Sequence, residues 1–189
     1  MLDLALQLIK DSLDRFLSNF FSLEEGVVVI NRIIDQDGKR PAGNSNKVIL
    51  CLINLSQETN SQYYNRPAAA VDGSMVSTQP AMYFNMELLC VADFDEYDEA
   101  LRCLGAILSF FQKNPSLSLN SSSDSFNDKN QLRLDIESES CFNMHNLWSS
   151  IGAKYQPSVV VRASHITIDG DVINHRSHGV RRAEVSAHG

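Results

Sequence analysis

The chain lacks most of the signatures that chemistry leaves in a sequence. No GxxxxGK[ST], GxSxG or HExxH occurs, and Gly38 and Gly43 stand isolated, which excludes a phosphate loop, a nucleophile elbow and a zinc-protease helix. The four cysteines, Cys51, Cys90, Cys103 and Cys141, are far apart and form no CxxC pair. That excludes a zinc ribbon and a secreted disulfide framework and fits synthesis in a reducing bacterial cytoplasm. Positive charge is scarce: 16 Lys and Arg against 23 Asp and Glu give a net charge of −7. Such a balance provides no basic face for nucleic acid and no attraction to an anionic membrane. No apolar run approaches the ~18 residues of a spanning helix. The opening MLDLALQLIKDSLDRF is interrupted early by acids and has no small-residue cleavage site, so it reads as an amphipathic segment without a signal peptide. No internal repeat is visible.

What is present is ordinary for a globular protein. Of 189 residues, 43% are apolar and 21% charged, enough for one domain that buries roughly two-thirds of its unfolded surface.

Spacing predicts a helix over 2–21, with Leu2, Leu6, Ile9, Leu13, Phe16, Leu17 and Phe20 on one face and Asp3, Lys10, Asp11, Asp14 and Arg15 largely on the other. GVVVINRII (26–34) and KVILCLINLS (47–56) are predicted strands, joined as a hairpin through the turn-rich DQDGKRPAGNSN. Their nearly continuous apolar runs imply cover on both faces. Residues 57–80 read as a long polar loop, and AMYFNMELLCVAD (81–93) as a third strand. A helix then runs to about Lys113, capped by Asp93 or Asp95, with Ala100, Leu101, Leu104, Ile107, Leu108 and Phe111 as its apolar face. Residues 114–130 form a second polar loop. QLRLDIES (131–138) alternates as a strand, 140–151 is a short helix, and PSVVVRASHITID (157–169) is the last strand. The fold class is α/β (α+β): a mixed sheet flanked by two long amphipathic helices over 1–169, followed by a flexible tail over 170–189.

Few residues carry candidate chemistry. Cys141 and His145, four apart on a helix, make half a metal site at most. The acidic DFDEYDE (93–99) lacks the glycine of a calcium loop and is better read as helix capping. His165 has no nucleophile beside it in any motif, and His175, His178 and His188 lie in the tail. Trp148, Tyr155 and Pro157 form a cluster that is either a core anchor with a turn or a subunit contact. No catalytic residue, metal or cofactor is assigned.

Four stretches, taken in order, carry a family likeness. NLWSSIGAKYQPSVVVRASHITID (146–169), YFNMELLCVADFDEYDEALRCLGAILSFFQ (83–112), KVILCLINLSQET and the opening MLDLALQLIKDSLDRFLSNFF resemble the terminators of antifeeding-prophage and virulence-cassette particles. The likeness covers about 1–169 and implies a phage tail-terminator-like fold and a structural role. It implies a homohexameric ring at the baseplate-distal end of the inner tube of a contractile injection system, extracellular or membrane-anchored as in type VI-like systems. The partners so implied are other copies, the inner tube protein and the sheath protein, whose last layer the ring would anchor. The final GDVINHRSHGVRRAEVSAHG departs from the family pattern. Trp148, Tyr155, Pro157, Arg176, Arg181 and Arg182 are the interface candidates. The two polar loops and the tail are further contact segments that would order on assembly. A transient adaptor or chaperone for tube and sheath subunits is the alternative, and a small enzyme with an unrecognised site is a remote second.

Overall fold

A computed structural model of the chain describes residues 2–24, 26–58, 68–69, 75–78, 82–118, 131–168 and 173–177. In chain order the elements are α1 (Leu2–Phe21), β1 (Val28–Ile30), β2 (Lys47–Gln57), β3 (Ala68–Ala69), β4 (Met75–Thr78), β5 (Met82–Asp93), α2 (Tyr97–Lys113), β6 (Ser116–Ser118), β7 (Gln131–Glu137), α3 (Cys141–Ile151), β8 (Ser158–Ile168) and β9 (Ile173–Ser177). Six strands make one mixed sheet in the order β1-β2-β5-β8-β7-β6, and β3-β4-β9 make a second. Bulges interrupt the β2–β5 pairing between Leu52 and Asn54 and the β5–β8 pairing between Phe84 and Met86, each adding local bend and twist.

The main core lies between one face of the six-stranded sheet and the pair α1 and α2. Ile9, Leu13 and Leu17 of α1 and Ile107 and Phe110 of α2 close over Val48, Leu50, Leu88, Cys90, Val161 and Leu132. On the other face α3 seats Trp148 on Ile49, Leu89, Val91 and Val160. Consecutive residues Val48, Ile49 and Leu50 are thus fully buried, as expected for a strand covered on both sides. No described helix is long and apolar enough to cross a membrane.

Several expectations are corrected. The strands at 26–34 and 47–56 do not form a hairpin: β1 runs parallel to β2, Val28 opposite Val48 and Ile30 opposite Leu50. The intervening loop carries the chain back to the start of the strand, as parallel pairing requires. Buried Asn44 fixes it there, accepting from Asn31 Nδ2 at 2.7 Å and donating to the Arg32 carbonyl at 2.9 Å. Asp14, placed on the polar face of the first helix, is buried. Its carboxylate accepts the backbone N–H of Gly26 (2.9 Å) and of Val28 (2.8 Å), tying α1 to the start of β1. Phe20, placed on the apolar face, is exposed.

Neither Asp93 nor Asp95 caps α2; the N-cap is Glu96, without a side-chain bond. Both acids instead hold Arg40, whose Nε reaches Asp93 Oδ2 at 2.8 Å and whose Nη1 reaches Asp95 Oδ1 at 2.9 Å. The buried face of α2 is also rotated from the expected one. Ala100, Cys103, Ala106, Ile107, Phe110 and Phe111 face inward, and Leu101 and Leu108 are left exposed. Residues 57–80, expected as loop, contain β3 and β4, and 114–130 contains β6. Within 170–189, expected as a flexible tail, Ile173–Ser177 pairs antiparallel with β4; 178–189 lie outside the described residues.

Candidate assembly surface

The closing part of the chain is organised by α3. Ser140 caps the helix, its hydroxyl accepting the Asn143 N–H at 3.2 Å. Gly152 ends it in the left-handed region (φ 78°), which a glycine adopts without strain, with its N–H bonded to the Trp148 and Ser149 carbonyls. The turn that follows brings Tyr155 edge-on to Trp148, ring centroids 5.7 Å apart. The half-buried Pro157 accepts the Ala92 N–H at 3.0 Å, which starts β8 beside β5. Of the two readings left open for this cluster, Trp148 is a core anchor, 3% exposed. Tyr155, 65% exposed, is available for contact.

A cleft of about 500 Å³ opens beside this pair, lined by Glu139, Cys141, Met144, His145, Trp148 and Tyr155 among others. Cys141 and His145 do share it, yet among the described residues no three His, Cys, Asp or Glu side chains gather to hold a metal. A second cleft of about 430 Å³ lies between the end of α1 and the start of α2 and is mainly apolar. Arg176 belongs to β9, opposite Val76 in the smaller sheet; Arg181 and Arg182 lie outside the described residues. The structure therefore gathers Trp148, Tyr155 and Pro157 and sets Arg176 in a different sheet.

Electrostatics here serve architecture. The hydrogen bond and charge of Arg40, with a lesser bond from Asn46, outweigh desolvation and hold the Asp95 carboxyl below the usual carboxylate range. On Arg40 itself burial pulls the pKa down, but the two aspartates outweigh it and raise it. Burial pushes the Cys90 and Cys103 thiols up to about 12, so both are neutral and unreactive at ordinary pH. His165 sits in the β5–β8 bulge at φ 69°, with Nδ1 3.7 Å from Glu58 Oε2. On the part of the sheet that α3 leaves open, Arg162 pairs with Glu137 (3.0 Å) and Glu87 (3.5 Å).

Sequence reasoning implied open sheet edges without locating them. Among the described residues, β1 pairs with Val48–Leu50 of the eleven-residue β2, and β6 pairs with Gln131–Arg133 of β7. Along the uncovered part of β2, Leu52 and Leu55 are 44% and 40% exposed; on β7, Ile136 is 41% exposed. The available signal was the run CLINLSQ (51–57), strand-forming yet free of charge and proline, the devices that normally blunt an edge.

The fold is a mixed α+β sheet with helices packed on both faces and, among the described residues, edges covered only in part. The profile of the Pvc16 N-terminal domain matches residues 6–182, and the chain belongs to that family. The match runs past 169, into the stretch that had seemed to depart from the family pattern. No curated protein matches the sequence. Among solved structures, the chain is similar to the sheath/tube terminator of an extracellular contractile injection system, PVC, in the extended state. There the TM-score is 0.64 and the identity 12%, over 96% of this chain and 62% of that one. It is similar also to the anti-feeding prophage cap, a tube-terminating cap, with TM-score 0.63 and 11% identity over 95% of this chain and 60% of that one. The chain thus spans about three-fifths of the length of these structures. The likeness confirms the expected terminator-like fold.

Proposed function

We propose that this chain is a tube-terminating cap subunit of a contractile injection system. Six copies form a closed ring on the baseplate-distal end of the inner tube, stop its growth and anchor the last sheath layer. Its partners are its own copies, the tube protein and the sheath protein, and it makes and breaks no bonds. It is a soluble component of the particle. The observation that carries this reading is the family match over 6–182, joined to a fold shared with two terminator caps. A ring also needs two different, complementary surfaces on each subunit, and the main sheet ends in two different edges.

The test is imaging of particles assembled without the chain. Tubes of uncontrolled length, or sheaths that detach, are expected; particles of normal length with sheaths retained overturn the proposal. Presence of the chain in purified mature particles separates a cap from a transient adaptor or chaperone. Residues 170–189 are assigned to sheath contact, and truncation at 169 that leaves sheath capture intact removes that part alone.

A further inference from the structure

We propose that His165, Glu58 and Asn85 form a binding site for one divalent ion of the zinc or nickel kind, on the open face of the main sheet. Glu58 directly follows β2, and its N–H bonds the Tyr83 carbonyl at 2.9 Å, which sets it opposite Tyr83 of β5. His165 lies on β8, the strand on the other side of β5. The two side chains meet across β5, His165 Nδ1 to Glu58 Oε2, at 3.7 Å. Between them β5 carries Asn85. Its neighbours Phe84 and Met86 belong to the core under α1 and α2, so alternation turns Asn85 to the opposite face, and with it Tyr83 and Glu58. The bulge sets two residues, Ser164 and His165, against Asn85 alone, since Met86 pairs with Ala163 and Phe84 with Ile166.

Three features of this place point to a cation. The first is the separation of Nδ1 and Oε2. At 3.7 Å it is too long for a hydrogen bond. Two atoms each roughly 2.1 Å from one ion stand that far apart at an angle of about 120°, within reach of a distorted tetrahedral or five-coordinate site. The second is an orphan acceptor. Asn85 Oδ1 is buried and has no hydrogen-bond partner among the described residues, a costly state that coordination to a cation relieves. The third is backbone strain. His165 holds φ 69°, a left-handed conformation that glycine adopts freely and a side chain does not. Strain of this kind gathers at ligand sites, where the surrounding structure fixes it.

The ligand set selects the ion. Imidazole suits zinc, copper, iron and nickel, whereas calcium and magnesium take oxygen ligands throughout. Among the described residues no three His, Cys, Asp or Glu side chains converge; here the third protein ligand is an amide oxygen, and water completes the shell. The His165 and Glu58 side chains are 46% and 25% exposed, which leaves an ion a way in. A net charge of −7 favours its approach. Once bound, the ion clips β2 to β8 over β5, beside the bulge that interrupts their ladder.

The test is thermal melting and calorimetric titration of the full chain, stripped with EDTA, against Zn2+ and Ni2+, with Mg2+ as the control. Zn2+ or Ni2+ should raise the melting midpoint by about 5–10 °C at a free concentration about 100 times the dissociation constant, and Mg2+ should not. H165G removes the imidazole from a backbone that glycine fits. It should melt no lower than wild type without metal, yet bind the ion at least about tenfold more weakly. E58Q should show the same loss of binding, and H145A and H175A none. N85D, which exchanges the amide oxygen for a carboxylate, should bind more tightly. A rise that persists in H165G and E58Q puts the ion elsewhere and overturns the site, as does the absence of any rise in wild type. An N85D chain that binds no tighter than wild type removes Asn85 from the ligands and overturns the three-ligand site.

Discussion

On one face of the six-stranded sheet, α1 and α2 close over Leu50, Leu88, Leu132 and Val161, none of which reaches solvent. On the other, α3 covers the end bearing Ile49, Leu89 and Val160, and beyond it the row Asn54, Glu87, Arg162 and Asp135 stays polar and partly exposed. The difference separates what holds the fold from what faces outward. Stability is concentrated under two helices, so the far face and the edges are free to be shaped by contact.

Breaking the covered face should have the largest effect. Leu88→Ala leaves a cavity under both long helices and should cost about 2–5 kcal/mol, lowering the melting midpoint by roughly 4–20 °C in a calorimetric scan. Next is the stitch at the rim of that core. Asp14→Ala orphans the buried N–H of Val28 and should cost about 1–3 kcal/mol in denaturant unfolding; a neutral result would mean that the α1–β1 link is dispensable. The open face should respond far less. Arg162→Ala removes partly exposed ion pairs and should change stability by no more than about 1 kcal/mol. A loss as large as that of Leu88→Ala would erase the contrast between the faces.

The smallest expected effect is a pH signature. Asp95 is held below its ordinary pKa by Arg40, and a carboxylate lowered on folding stabilises the native state above its unfolded pKa. That contribution is complete above about pH 4 and is lost as pH falls through the folded value. Asp95→Asn should therefore be less stable than wild type near pH 7 and converge with it in acid. Divergence that grows in acid contradicts the assignment.

Much of this was legible in the sequence because it is local. The Leu and Ile spacing of 2–21 and the short helix read over 140–151 placed two helices to within a residue, and a core anchor was one of the two readings given for Trp148. What escaped was set at long range. Turn chemistry in 35–46 pointed to a hairpin, but bonds from Asp14 to Val28 and from Asn44 to Asn31 and Arg32 set β1 parallel instead. The face of α2 was misjudged because small and aromatic side chains, Cys103, Ala106 and Phe110, approach the sheet more closely than Leu101 and Leu108. The edges were legible only in part: CLINLSQ (51–57) is a strand-forming run without charge or proline, but only the strand order shows that β1 stops beside Leu50.

The central claim is that identical copies close into a ring, and the native mass of the purified chain tests it most directly. A single species near six times 21.1 kDa, unchanged across a wide dilution range, is expected. A lone 21.1 kDa species at every concentration, with and without purified tube, would contradict it.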